Sequence, residues 1–205
     1  LDMAGWVETP GTSRAAFEDA IEALARTGVP VLDRRGDPGV AALEGHLAAA
    51  MDYSLDILAW EARWPLRTYL DQGAAMVGPR IQDLLARAAA MTAVNYRAAL
   101  ERREQLRAAV NALADRVDGF VALCSSGPAI ADHAFTGSRA YPTAWTLVAG
   151  PAFALPLLAA DDLPLGLQLC GFRERDAELC AVAAWIRDAL MPSIIAGTPA
   201  GENVR

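Results

Sequence analysis

Apolar residues follow two different patterns along the chain. From residue 37 to residue 117 they recur every three or four positions, whereas from 118 to 172 they form short continuous runs separated by Gly, Pro and Asp. The first spacing is typical of amphipathic helices, and the second is typical of buried strands joined by turns. The sequence therefore predicts a mainly helical block, 37–117, followed by a core of strand, loop, helix and hairpin, 118–190.

The residues before this block show a strand, helix and strand pattern. The run "AGWVET" ends at the Pro10-Gly11 turn, and "VPVL" resumes after Gly28. Between them, Thr12 or Ser13 can cap a helix, and Gly28 is a suitable C-terminal stop. We expect one face of this helix to be buried, since apolar residues recur on it at helical spacing. These residues are Phe17, Ala20, Ile21 and Leu24.

Caps and breakers divide the helical block. Asp37 followed by Pro38 is a typical start, and Pro65, Gly73 and the Gly78-Pro79 pair predict further boundaries. The last helix is expected from about Thr92 to Arg116. Its charged run "ALERREQLR" is interpreted as a solvated face with ion pairs along the helix. The residues available for its inner face are Val94, Leu100, Leu106, Val110, Leu113 and Val117.

The last third alternates apolar runs with turns. "FVAL" predicts a strand, 124–139 a long loop, "TAWTLV" a short helix, and "AFALPLL" and "LGLQLCG" two strands around Asp161-Asp162. A closing helix is expected from Glu174 to Leu190, and the tail 191–205 is expected to fray. Strands are few for so many helices. We therefore predict one α/β unit over 1–205 whose sheet is incomplete.

Composition narrows the class of protein. The chain has 205 residues, a net charge of −7 and 54% hydrophobic residues, without an apolar run near the ~20 residues of a membrane span. The acidic balance argues against nucleic acid as a partner. Three cysteines without metal-ligand spacing predict no disulfide framework and no metal site, and they are interpreted as buried thiols in a reducing compartment, hence a cytoplasmic protein. All 18 basic residues are arginine, so no lysine chemistry can come from this chain.

The order of motifs resembles the C-terminal portion of amidase signature family hydrolases. The motifs are "FVALCSSGPA", "TGSRAYPTAWTLVAGPAFALPLL", "DDLPLGLQLCGF" and a terminal amphipathic helix. The helical stretch upstream is also similar, so the resemblance covers roughly 37–190 and is most specific from 136 to 171. One departure is "AGP" at 149–151, where the family's glycine usually stands two places before the proline.

The resemblance implies an α/β/α fold with a mixed sheet covered by helices, and hydrolysis of a carboxylic amide. Family members use a nucleophilic serine, a bridging cis-serine and a lysine, together with a Gly-rich oxyanion loop, and need no cofactor. Those residues belong to the family's N-terminal half, and this sequence contains neither the lysine nor the Gly/Ser-rich signature. We therefore expect no catalytic residue in this chain. The expected partners are a small amide substrate and an N-terminal catalytic segment or subunit, and homo-oligomers are possible.

An alternative interpretation is a hydrolase whose catalytic residues all lie in this chain. Ser125 or Ser126, Asp132 and His133 lie within nine residues, and these residue types form nucleophilic triads. However, the sequence has no nucleophile elbow, and neighbouring residues such as Asp132 and His133 usually point in different directions. These groups are better interpreted as partners of the loop backbone.

Candidate substrate contacts lie on the short helix after the long loop. By resemblance this block lies beneath the acyl pocket, so Tyr141, Thr146 and Trp145 are the candidate substrate-binding residues. A core role is equally open for Tyr141 and is favoured for Trp145. A rival function also stays open, namely a non-catalytic binding or scaffolding subunit derived from the same fold.

Overall fold

The computed structural model of the protein describes residues 1–197, which form helices around a small sheet. The α-helices are α1 (Gly11–Arg26), α2 (Pro38–Ala48), α3 (Ala50–Asp71), α4 (Pro79–Ala90), α5 (Ala93–Asn111), α6 (Pro142–Val148) and α7 (Asp176–Gly197). The strands are β1 (Phe120–Leu123), β2 (Ala152–Ala160) and β3 (Leu163–Cys170), and short 3-10 helices span Ala4–Glu8 and Ala74–Met76. The predicted frayed tail is helical as far as Gly197, and 198–205 lie outside the described residues.

The sheet has the order β1-β3-β2, so β3 is its central strand. Both pairs are antiparallel, with Cys170 opposite Phe120 on one side and Ala152 on the other. The predicted α/β class is confirmed. The resemblance implies a mixed sheet for the family's fold, and the part of it within residues 1–197 contains only antiparallel pairs.

The β2-β3 hairpin is set by local turn chemistry. Asp161 and Asp162 have φ angles of 53° and 61°, as in the left-handed two-residue turns that match strand twist. The register shifts between Leu155 and Leu158, around Pro156, which has no N–H to give to a strand ladder. The predicted turn at Asp161-Asp162 is confirmed.

The helices enclose one contiguous apolar core. α1 and α7 pack on β2, while α6 contacts both α3 and α5. Asp37 caps α2 by accepting from the amides of Gly39 and Val40, and Arg116 forms an ion pair with the same carboxylate. The hydrogen bond from Arg116 is the main reason that the pKa of Asp37 lies below its usual value. Thr92 and Asn95 form a reciprocal capping box at α5.

Two predicted strands are absent, and their exposure explains why. Residues 4–8 form a 3-10 helix in which Val7 is 87% exposed, so the apolar run does not alternate between a buried and a solvent face. Residues 29–32 have no regular secondary structure and pair with no strand among the described residues, and Val31 is 41% exposed. An apolar run does not form a β-strand by its composition alone, because it also needs a neighbouring strand with which to pair.

Some predicted helix boundaries also differ. α3 continues through Pro65, because both Pro65 and Glu61, whose carbonyl loses a helical partner there, are exposed to water. α5 ends at Asn111, and Val94 is 64% exposed rather than on the inner face. Cys180 is exposed on α7, whereas Cys170 is buried as expected.

The residue that caps the C-terminal end of α6 has a strained backbone conformation. Ala149 has φ 59° and ψ 32°, the left-handed conformation that glycine adopts without strain, and it occupies the place where the resemblance puts glycine. Because the left-handed conformation costs about 1–2 kcal/mol for an L-residue, we expect Ala149→Gly to raise the free energy of unfolding by up to about 1 kcal/mol. Urea denaturation measures this, and a loss of stability would contradict it.

Gly150→Ala is the matched control for this prediction. A Cβ at position 150 would lie 2.5 Å from the carbonyl oxygen of Gly171, so the backbone would have to move. Overpacking of this kind costs about 1–3 kcal/mol. The two adjacent substitutions are therefore expected to have opposite signs.

Candidate functional site

A cavity of about 450 Å³ lies where α6 meets α3 and α5. We call it the α6 cavity. Its lining combines apolar residues of α3 and α6 with hydroxyl and guanidinium groups, which is typical of small-molecule sites. The lining includes Leu55, Leu58, Leu147, Thr146, Glu61, Arg103, Arg107 and Arg139.

Three arginines reach the α6 cavity from two parts of the chain. Arg107 on α5 donates to the carbonyl of Leu147 at 3.0 Å and to Glu104 at 2.8 Å. Arg103, one helical turn earlier, approaches the same carboxylate at 3.3 Å. Arg139, at the end of the long loop, makes no side-chain hydrogen bond or ion pair with any described residue. This gives the cavity a positive side.

The predicted substrate residues lie in different environments. Thr146 is exposed and lines the α6 cavity, although its hydroxyl donates to the carbonyl of Pro142. Tyr141 is fully buried, and its hydroxyl lies 2.6 Å from that of Thr9. Trp145 is also buried and donates from Nε1 to the carbonyl of Gly171 at 2.9 Å. The structure thus places Tyr141 and Trp145 in the core and Thr146 on the α6 cavity, and a substrate role for any of them stays a prediction.

Burial sets the electrostatics of Tyr141. Desolvation is the main reason that the pKa of its phenol is raised, and the hydrogen bond with Thr9 opposes this in part. Thr9 already donates its only hydroxyl proton to the carbonyl of Gly5, so Tyr141 must be the donor to Thr9. The phenol of Tyr141 is therefore neutral, and its hydroxyl proton is already donated to Thr9.

The long loop does not assemble the local triad. Ser125 donates to the carbonyl of Gly127 at 2.6 Å, and Asp132 accepts from the amide of Ala134 at 2.8 Å. No hydrogen bond joins Ser125 or Ser126 to His133 within the described loop. The serine and aspartate thus partner the loop backbone.

A second cavity lies beside the outer edge of β1. It has a volume of about 610 Å³, and its lining includes residues of β1, of the segment 29–32 and of α7. We call it the β1-edge groove. Val31, Leu32 and Trp185 line it and are 41%, 39% and 44% exposed. The carbonyl of Val121 on this edge accepts a hydrogen bond from the Leu1 amine, and no strand among residues 1–197 pairs with it.

Two other features, a metal site and a membrane-spanning helix, concern the part of the chain that the structure describes. No group of three His, Cys, Asp or Glu residues there is placed to hold a metal ion. Nor does any helix there combine the length and apolar character needed to cross a membrane.

Sequence reasoning missed the arginines of the α6 cavity. It assigned Arg103 and Arg107 to a solvated helix face, and their ion pairs with Glu104 agree with part of that interpretation. Their i,i+4 spacing was the available signal, since it places both side chains on one side of α5. Arg139 could not be added from sequence, because only the folded loop brings it to this helix.

Comparison with solved structures identifies the fold. An amidase structure superposes with a TM-score of 0.72 at 23% identity, covering 86% of this chain and 42% of the amidase. An allophanate hydrolase from Kluyveromyces lactis gives 0.67 at 16% identity, covering 89% of this chain and 30% of that enzyme. A bacterial aryl acylamidase of the amidase signature family gives 0.55 at 16% identity, covering 78% and 41%.

The chain therefore has the fold of part of an amidase signature enzyme, and the resemblance read from its sequence is confirmed at the level of the fold. It spans less than half the length of these structural neighbours. No protein-family model matches the chain, and a sequence comparison with curated proteins finds no match.

Proposed function

We propose that this chain is part of an enzyme that hydrolyses a carboxylic amide. In this proposal it contributes sheet core and one wall of the substrate pocket, while a separate segment contributes the catalytic serines and lysine. The observation that carries the proposal is its fold, shared with several amide hydrolases of which it covers 42% or less. Because the sequence contains no lysine, the catalytic lysine in this proposal has to come from the separate segment.

The β1-edge groove is the place we propose for the catalytic segment. A strand edge without a partner presents free N–H and C=O groups, which favour addition of another strand. Binding of the catalytic segment would also cover the exposed apolar side chains that line the groove.

The first test is enzymatic. We expect the purified 205-residue chain to hydrolyse no amide or ester in a panel of acyl-chain lengths. We expect hydrolysis from the product of the complete coding sequence, if that sequence supplies a Lys and a Gly/Ser-rich stretch. Turnover by the 205-residue chain that is abolished by Ser125→Ala or His133→Ala would instead establish the local triad. A complete product without hydrolysis would favour the non-catalytic binding subunit.

The second test concerns the groove. We expect the chain by itself to oligomerise or to bind a hydrophobic dye, and we expect Val31→Asp to reduce both. Val7→Asp is the matched control, because Val7 is 87% exposed but does not line the groove. Light scattering and dye fluorescence provide the measurements. A monodisperse monomer without dye binding, or equal effects of the two substitutions, would contradict this docking surface.

A further inference from the structure

The three arginines of the α6 cavity are not fully neutralised. Glu104 is shared by Arg103 and Arg107, and Glu61 accepts a hydrogen bond from the hydroxyl of Tyr96 at 2.8 Å. Two carboxylates therefore accompany three guanidinium groups. One positive charge is left over in a chain whose net charge is −7.

Two of these arginines are held in place and partly shielded from water. The side chains of Arg103 and Arg107 are 26% and 19% exposed, and Arg107 is tied to the carbonyl of Leu147. Partial burial strengthens their field, because the effective dielectric constant falls away from bulk solvent. Arg139 is exposed, lines the same cavity and has its donors available to a ligand.

Other residues that line the cavity are apolar. They include Leu55, Leu58 and Leu147, and Leu58 is 45% exposed. A volume of about 450 Å³ is within the range of small-molecule sites. The cavity thus offers a hydrocarbon surface next to one uncompensated cation.

We propose that the α6 cavity binds a small organic carboxylate. Its carboxylate would accept hydrogen bonds from Arg139 and Arg103, and its hydrocarbon part would lie on Leu58 and Leu147. Guanidinium groups suit the planar carboxylate because they can donate two parallel hydrogen bonds. A single surplus charge and an apolar surface favour a monoanionic carboxylate over phosphate.

This inference deepens the proposed function, on which its interpretation as a substrate site rests. If the chain serves an amide hydrolase, the preferred amide carries a free carboxylate on its acyl side. Binding of a carboxylate to the cavity does not itself depend on hydrolysis. The two proposals can therefore fail separately.

The experiment uses ligand-observed NMR with the 205-residue chain, which works for monomers and oligomers alike. Hexanoate is the probe, hexanamide is its neutral analogue, and inorganic phosphate is the competitor. We expect hexanoate to bind at least about tenfold more tightly than hexanamide, as charge-assisted hydrogen bonds require. Phosphate is expected to displace hexanoate only weakly.

Arginine variants locate the site. We expect Arg139→Gln to weaken hexanoate binding about tenfold, the factor that loss of one charged hydrogen-bond partner gives. Arg97→Gln is the matched control, because Arg97 is an exposed arginine of α5 that does not line the cavity. Both variants should keep the thermal midpoint, since exposed substitutions rarely change stability by more than about 0.5 kcal/mol.

Three results would overturn the inference: equal binding of hexanoate and hexanamide, equal effects of Arg139→Gln and Arg97→Gln, or displacement of hexanoate by equimolar phosphate. Binding of hexanoate without amide hydrolysis by the complete product would contradict only the proposed function. Hydrolysis of neutral amides without hexanoate binding would contradict only this inference.

Discussion

Trp145→Ala is expected to lower the free energy of unfolding by about 3–5 kcal/mol, the usual cost of truncating a buried aromatic side chain. The Trp145 ring is 2% exposed and packs against Phe120 with ring centroids 5.3 Å apart. Its Nε1 donates to the carbonyl of Gly171, just after β3. The side chain therefore joins α6 to one end of the β1-β3 pair, where Phe120 lies opposite Cys170, and its loss would leave a cavity and an unpaired carbonyl.

Trp145→Phe separates these two contributions. Phenylalanine retains much of the ring contact with Phe120 but leaves the Gly171 carbonyl without its donor, which costs about 1–3 kcal/mol. Urea denaturation of the wild type and both variants gives the comparison. A loss below about 1 kcal/mol for Trp145→Ala would show that the ring is not a core residue, since core truncations cost more.

Features encoded by short stretches could be predicted from the sequence. The Asp37-Pro38 helix start, the start of α5 near Thr92 and the Asp161-Asp162 turn each depend on a few neighbouring residues, and all three are confirmed. β1, α6 and the hairpin strands were also located, because turn residues bound each apolar run. Local chemistry is sufficient where the partner groups are neighbours in the chain.

Features that depend on distant partners could not be predicted in this way. The segment 29–32 has the composition of a strand, but no strand edge receives it in residues 1–197. Pro65 is a residue type that usually ends a helix, yet α3 continues through it, because Glu61, whose carbonyl loses its helical partner, is an exposed residue. Likewise, the α6 cavity forms only where α3, α5 and the end of the long loop come together in the folded chain. No short sequence pattern shows that these segments are neighbours.

The placement of Tyr141 shows the same limit at the candidate site. Its i,i+4 spacing to Trp145 predicts that the two rings lie on one side of the chain, and both rings are buried. The spacing does not say whether that side faces a pocket or the core. The partners that decide this are Gly5 and Thr9, more than 130 residues earlier in the chain.

Tyr141→Ala is expected to destabilise the protein by about 3–5 kcal/mol, as for other buried aromatic residues. The ring packs so closely on Gly5 that a Cβ there would lie 2.5 Å from it. Tyr141→Phe keeps this packing and removes only the hydrogen bond to Thr9, so a cost of about 1 kcal/mol is expected. Denaturant midpoints of the two variants measure the difference.

A second measurement distinguishes packing from substrate contact at Tyr141. In an active enzyme assembled with the catalytic segment, kcat/KM is measured over a series of acyl-chain lengths for wild type and Tyr141→Phe. If Tyr141 is only a core residue, the relative rates stay the same, because Thr9 and not the substrate accepts its hydrogen bond. A changed preference with an unchanged midpoint would assign Tyr141 to the pocket, since discrimination by one contact of this kind is worth about 1–3 kcal/mol without any loss of fold.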